Sequence, residues 1–234
     1  MTPGDWLGAA VINLRRLPAQ YWIVLAFIYS GKAMVMFLPA GMQGGAAIRL
    51  ILDAATFLIL FWLPYVLMRV MAEEDRPARP TLAFAIFTVA AILLAVLRAM
   101  PAMAAHQAFL QGIGLHYPEL VMLGAGVLSA VLVARFLPLY AGTATAQLSP
   151  FERHWWRGMN GVAAGFVGAV LIVELARQTA DLLLPIAMPL FTLKNILLSH
   201  AAAFTDAGVF LFTLGLAVAA CRHASGLQGA SPPR

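Results

Sequence analysis

Residues 131–160, VLVARFLPLYAGTATAQLSPFERHWWRGMN, decide the fold class of this chain. An apolar run holding one arginine, Arg135, gives way to small and polar residues, then to a short basic segment rich in aromatics, then to a Gly/Asn break. Tryptophan and arginine both settle at the headgroup level of a bilayer, so the pattern reads as a membrane span, a surface helix and the start of the next span. Arg135 lies close to Gly142 and has a stem long enough to snorkel, which puts it at the interface rather than in the hydrocarbon. Ser149 is the expected cap of the surface helix, and Trp155, Trp156 and Arg157 are its expected anchors.

The rest of the chain agrees with that class. Of its 234 residues 62% are hydrophobic and 11% charged, and the mean hydropathy is +0.86. A soluble domain has roughly 45–50% apolar and about 25% charged residues, so a soluble protein this small has no interior large enough for such a load. The net charge of +5 sits mostly at the ends of apolar runs. Anchoring to anionic headgroups accounts for it, and nucleic acid is not an expected partner. Cys221 is the single cysteine, so no internal disulfide forms and no Cys/His zinc spacing exists. The two arginines of MTPGDWLGAAVINLRRLP follow its apolar residues rather than precede them, which argues against a removable signal peptide.

Taken in order, residues 1–20 form an interfacial helix on the cytoplasmic side. Thr2 is the cap, Pro3 the first helical residue and Asp5 the carboxylate facing free backbone N–H groups. Leu7, Ala10, Val11 and Leu14 make its apolar stripe, with Asn13, Arg15 and Arg16 offset from it. Residues 21–222 form an all-α, polytopic membrane helical bundle of six transmembrane helices with short interfacial helices. The expected spans are roughly 21–41, 48–71, 81–100, 120–142, 161–183 and 202–221. Residues 101–119 read as a loop, and the prolines at 185 and 189 make 184–200 interfacial or re-entrant. Residues 223–234 are an expected disordered cytoplasmic tail.

Lys and Arg collect on one side of this topology: Arg15, Arg16, Arg69, Arg76, Arg79, Arg153, Arg157, Arg222 and Arg234. Arg49, Arg98, Arg177 and Lys194 fall on the other. The positive-inside rule therefore places both termini in the cytoplasm of a bacterial inner membrane. A basic segment precedes each odd-numbered span, from the same rule or from an internal repeat. Thr2-Pro3-Gly4-Asp5 and Ser149-Pro150-Phe151-Glu152 share one local grammar: a capping hydroxyl, a proline and an acid three residues after the cap.

Charges inside spans are the strongest functional pointers, because each costs about 2.5–3.5 kcal/mol or more at the bilayer centre. Lys32 in the first span and Asp53 in the second lie at similar depth and either pair or leave Lys32 to snorkel. In VELARQTAD, Glu174, Arg177 and Asp181 share a helix face, so Arg177 can bridge either acid. Asp206 adds a third acid at the same level, and Arg98 a further base. This cluster either binds an ion or headgroup, or relays protons, or ties helices together, or is plain interface charge.

Other chemistry finds no foothold. None of the histidines, at 106, 116, 154, 200 and 223, is expected well inside a span, so haem is not expected. Phosphate-loop, paired-His metal and nucleophile-elbow patterns are missing from the sequence, and no metal or other cofactor is called for. The eleven methionines read as packing filler. Gly124, Gly126 and Ser129, then Gly161, Ala164, Gly165 and Gly168, allow close helix approach, first within the bundle and second in self-association.

Around Arg135, Ser149, Trp155, Arg157 and Asn160 the order of arginine-bearing span, small residues, Trp/Arg surface helix and Gly-x-Asn resembles bacterial membrane proteins of the YciC type. These are akin to the membrane domain attached to some glycerophosphodiester phosphodiesterases. The chain departs from the pattern at LPLYAGTATAQ, where a proline-and-alanine stretch is expected. The resemblance implies an inner-membrane protein connected with the cell envelope and no established reaction. The expected function is therefore non-enzymatic: an accessory subunit or lipid-related factor that binds membrane lipids, other membrane subunits or itself. The alternative is a small transporter or channel using the intramembrane charges.

Overall fold

The computed structural model describes residues 1–35, 57–73, 82–112, 118–145, 159, 161–183 and 192–226. Within them the protein is all-helical, with no strand. The helices are α1 (Pro3–Arg15), α2 (Ala19–Val35), α3 (Leu63–Met71, entered through a π-helical turn at Leu58–Trp62), α4 (Leu82–Leu110), α5 (Pro118–Thr145), α6 (Ala163–Leu183) and α7 (Leu193–Ala224). Four of them, α4 to α7, are long and apolar enough to cross a membrane. Of the first two expected spans, α2 covers the front of 21–41 and residues 57–71 the back of 48–71; the remainder lies outside the described residues.

The organising element is α7, which packs against α1, α2, α3, α5 and α6. From Leu214 to Cys221 every residue of α7 is buried, so this end is enclosed on all sides. Gly215, Ala217, Ala219 and Ala220 make that enclosure possible, because small side chains let several backbones approach one helix. At 32 residues α7 is about 48 Å long. By contrast α4 packs chiefly on α5, and along it only Phe87, Ala91, Pro101 and Ala105 are buried.

An aromatic cluster joins α3, α4 and α5: Tyr65 lies 5.2 Å from both Phe84 and Phe87, and Phe87 stacks on Tyr140 at 4.8 Å. Ring pairs at such distances add about 0.5–1.5 kcal/mol each beyond their burial. The outside is apolar in the opposite sense, with Phe27 81%, Ile23 69%, Leu110 69% and Val89 67% exposed. Large side chains of this kind along long helices fit a surface solvated by lipid.

Two boundaries differ from the sequence expectation. Residues 101–110 continue α4 straight through Pro101 rather than forming a loop. Proline costs a helix one backbone hydrogen bond, here the one to the Leu97 carbonyl, and α4 nevertheless continues; one residue further on, the Arg98 carbonyl also accepts from Ser129 Oγ at 2.9 Å, which ties α4 to α5. At the other boundary, residues 193–200 are the first turns of α7, capped by Thr192, whose side chain accepts from Asn195 N at 3.3 Å. The two prolines that argued for a break lie before that cap, in 184–191, outside the described residues.

The N-terminal helix forms as its caps dictate. Thr2 Oγ1 accepts from Asp5 N at 3.3 Å and Asp5 Oδ2 accepts from Thr2 N at 2.6 Å, a complete capping box. Its seat, however, is inside the protein. Trp6 and Ala10 are fully buried, and Leu14 and Asn13 nearly so. The Trp6 ring is 4.9 Å from Phe166 of α6 and 5.5 Å from His223 of α7. Asn13, which stands off the apolar stripe in sequence, donates from Nδ2 to the Gly215 carbonyl at 3.0 Å. The helix thus occupies the cleft between α6 and α7.

Candidate functional site

Three helices meet at one polar joint. Arg98 on α4 donates from Nη2 to Glu174 Oε2 on α6 at 2.9 Å. Arg177, three residues along α6, donates from Nε to Glu174 Oε1 at 3.1 Å and from Nη2 to the same oxygen. Each carboxylate oxygen therefore serves a different arginine. The α5 contribution is Ser129, whose hydroxyl holds the Arg98 carbonyl, and Gly126, where an added Cβ would overlap the Gln178 side chain of α6. The spacing of Glu174 and Arg177 is the i, i+3 pairing legible in VELARQTAD. Glu174 is mostly buried, while the arginines stay partly exposed: the side chains are 13% exposed for Glu174, 43% for Arg98 and 35% for Arg177.

The other sequence-derived candidates are placed as follows. Asp206 is a half-buried residue of α7. Lys32 and Asp181 belong to α2 and α6, but their side chains lie outside the described residues, as does Asp53 altogether. Arg135 is an exposed residue of α5. Ser149, Trp155, Trp156, Arg157 and Asn160 lie outside the described residues. Of the small residues, Gly165 and Gly168 receive α1 directly: a Cβ there would collide with the Met1 carbonyl or come within 2.9 Å of Pro3. His106 and His200 both fall within long helices, α4 and α7, and His200 Nδ1 lies 2.8 Å from the Ile196 carbonyl of its own helix. No group of His, Cys, Asp and Glu among the described residues is arranged to hold a metal ion.

A second set of charged contacts, at the opposite end of α6 from Arg177, is not readable from spacing. Arg16 and Arg222 both donate to the Met71 carbonyl, each at 3.4 Å, and both lie 3.5 Å from the Glu73 carboxylate. Met71 ends α3, so its carbonyl is one of those that a helix C-terminus leaves without an intrahelical partner, and cations belong there. Arg69 does the same for α5: buried, it donates from Nη1 to the Ala144 carbonyl at 3.0 Å while its guanidinium lies over Tyr65. Residues that a charge count assigns to an interface also tie α1, α3, α5 and α7 together. The available signal was that Arg69 falls inside an apolar run, where an arginine needs an acceptor.

Comparison with known proteins finds no matching family model, no similar curated protein and no similar solved structure.

Chemically, the joint is an ion-pair tie: Glu174 receives Arg98 from α4 and Arg177 from its own helix, which locks α4 to α6. Outside the membrane-spanning helices, Asp5 is held below the ordinary carboxylate value, first by the backbone hydrogen bond from Thr2 and next by the Thr2 hydroxyl.

Proposed function

We propose that this chain is a non-enzymatic, six-span protein of the bacterial inner membrane with both termini cytoplasmic, an accessory or envelope factor that binds lipids or membrane-protein partners. The observation that carries this reading is Glu174: both of its oxygens are taken by arginines from two helices, so the central acid ties helices rather than waiting for a solute. The exposed large apolar side chains of α4, Leu82, Val89, Val96 and Met103 among them, support a protein whose business is with its surroundings. The side-chain order around Arg135 and Asn160 adds the YciC-type resemblance to the same proposal. The basic residues Arg15, Arg16 and Arg222 support a cytoplasmic setting for the N-terminal helix through the positive-inside rule.

The second reading is a small transporter or channel, and the place of Arg98, Glu174 and Arg177 within long apolar helices favours it. Glu174→Gln separates the two when abundance and solute flux are measured together. Lower abundance with proportionate flux is expected from the tie. Unchanged abundance with lost flux would overturn the first reading.

A further inference from the structure

The outward face of α1 is unlike its seat. Trp6, Ala10, Asn13 and Leu14 are buried, whereas Gly4, Gly8, Ile12 and Arg15 are exposed. At 3.6 residues per turn these four share one stripe about 80° wide, and Trp6 stands about half a turn away from Arg15. The Arg15 guanidinium has no hydrogen bond or ion pair among the described residues. Its neighbours are already committed: Arg16 meets the Met71 carbonyl and Glu73, Glu73 is shared with Arg222, and Asp5 is held by Thr2 at the far end of the helix.

This stripe lies beside the long helices rather than beneath them. α1 meets α6 at Gly165 and Gly168, two and five residues after Ala163, and α7 at Gly215, nine residues before Ala224. At ~1.5 Å per residue those contacts are roughly 3–8 Å and about 14 Å inside the helix ends. The 21 residues of α6 match a ~30 Å hydrocarbon core. α1 is thus at the boundary of acyl chains and headgroups, where surface helices sit ~5–10 Å deep. Its Arg15 end is at headgroup level, because Arg16 shares the Met71 carbonyl with Arg222, two residues from the end of α7. From there α2 runs along α7 to the Ser199–Ala33 hydrogen bond, and its exposed side chains begin with Trp22 and continue with Ile23 and Phe27. Cation, tryptophan and then purely apolar side chains are the order in which a bilayer is entered.

We propose that the outward face of α1 is a docking surface for an anionic phospholipid, with Arg15 on the headgroup phosphate and Ile12 on the upper acyl chain. A guanidinium fork matches phosphate oxygens through parallel hydrogen bonds. A zwitterionic headgroup brings its own cation to the phosphate, whereas an anionic one leaves that place to the arginine, which sets the class of lipid. The proposal rests on the membrane reading above and goes beyond it by naming the lipid class and the contact residue.

The test places a fluorophore on Ile12→Cys in the full chain in nanodiscs of mixed phosphatidylcholine and phosphatidylglycerol, with bromine carried by one lipid or the other as quencher. Cys221 is buried, and the wild-type chain treated in parallel measures any label it takes. Phosphatidylglycerol is expected around position 12 at about fivefold its bulk share, equivalent to about 1 kcal/mol. Adding Arg15→Gln brings the ratio to the bulk value, and Arg15→Lys keeps most of it. An unchanged ratio in Arg15→Gln overturns the proposal, as does a label quenched by aqueous iodide and by neither lipid. Should Arg15→Gln fail to accumulate, ionic strength decides on the Ile12→Cys chain alone: the enrichment shrinks in about 1 M salt, and one that stays undiminished overturns the proposal. A chain absent from the bilayer fraction defeats the membrane reading instead, so the two failures are told apart.

Discussion

Asn13 and Gly215 are joined by a 3.0 Å hydrogen bond from the Asn13 amide to the Gly215 carbonyl, between α1 and the most enclosed part of α7. The bond forms because Gly215 has no side chain: a Cβ there would sit 3.0 Å from the Ala10 carbonyl oxygen. A 13-residue helix is marginal alone in water, so α1 owes its stability to this seat.

Removing the anchor of that seat is expected to release α1. Trp6→Ala deletes a fully buried indole and costs about 3–5 kcal/mol, as large aromatic truncations do. Asn13→Ala leaves its buried surroundings without the amide and costs about 1–3 kcal/mol. Limited proteolysis within residues 1–17 reads both, and unchanged protection in Trp6→Ala contradicts the packed position.

How far the sequence foretold this is clear from α1 itself. Its start followed from Thr2, Pro3 and Asp5 because capping is local chemistry. Its place did not: a narrow apolar stripe with Asn13 beside it fits a membrane surface as well as a protein cleft, and only the glycines at 165, 168 and 215, far along the chain, tell them apart. The tie of Glu174 to Arg177 was readable for the same local reason, whereas the Ser129 bond to Arg98 depends on how α4 and α5 are set beside each other, which no spacing within either helix encodes. The continuation of α4 past Met100 is not legible because residues 101–119 hold no apolar run long enough to span, which says nothing against a helix that simply runs on.

The capping box gives α1 a defined pH response. The Asp5 carboxyl is lowered below its ordinary 3.8 in the folded helix, so its contribution is complete above 3.8 and is lost as pH falls through the lower folded value. Amide hydrogen exchange in the first turn of α1 is expected to quicken, after correction for intrinsic rates, on going from neutral pH to well below 3.8. Asp5→Asn removes that pH dependence; persistence of the same profile in the variant assigns it to another group.

Glu73 occupies the left-handed region, with φ of 57°, where a non-glycine residue is strained. It also meets Arg16 and Arg222, with its side chain 57% exposed. Glu73→Gln keeps the backbone and loses the charge, and is expected to cost no more than about 1 kcal/mol, less in high salt. Glu73→Gly loses the charge and relieves the strain, worth about 1 kcal/mol in the opposite sense, so its melting temperature should exceed that of Glu73→Gln. The reverse order would show that Arg16 and Arg222 need the side chain for more than its charge.

Gly126 and Gly215 provide a comparison in which crowding alone gives the wrong ranking. A Cβ at Gly126 overlaps Gln178 outright, yet what it meets is the far end of a flexible side chain, which can swing away. A Cβ at Gly215 makes a looser contact, but with the Ala10 backbone, which moves only if α1 moves. Gly126→Ala is therefore expected to fall under about 1 kcal/mol, and Gly215→Ala in the range of about 1–3 kcal/mol typical of overpacking. Combining Gly215→Ala with Trp6→Ala should cost less than the sum, because α1 is already displaced in the second variant. Thermal unfolding of the four proteins in one detergent measures the cycle, and strict additivity would mean that α1 and α7 do not share this contact.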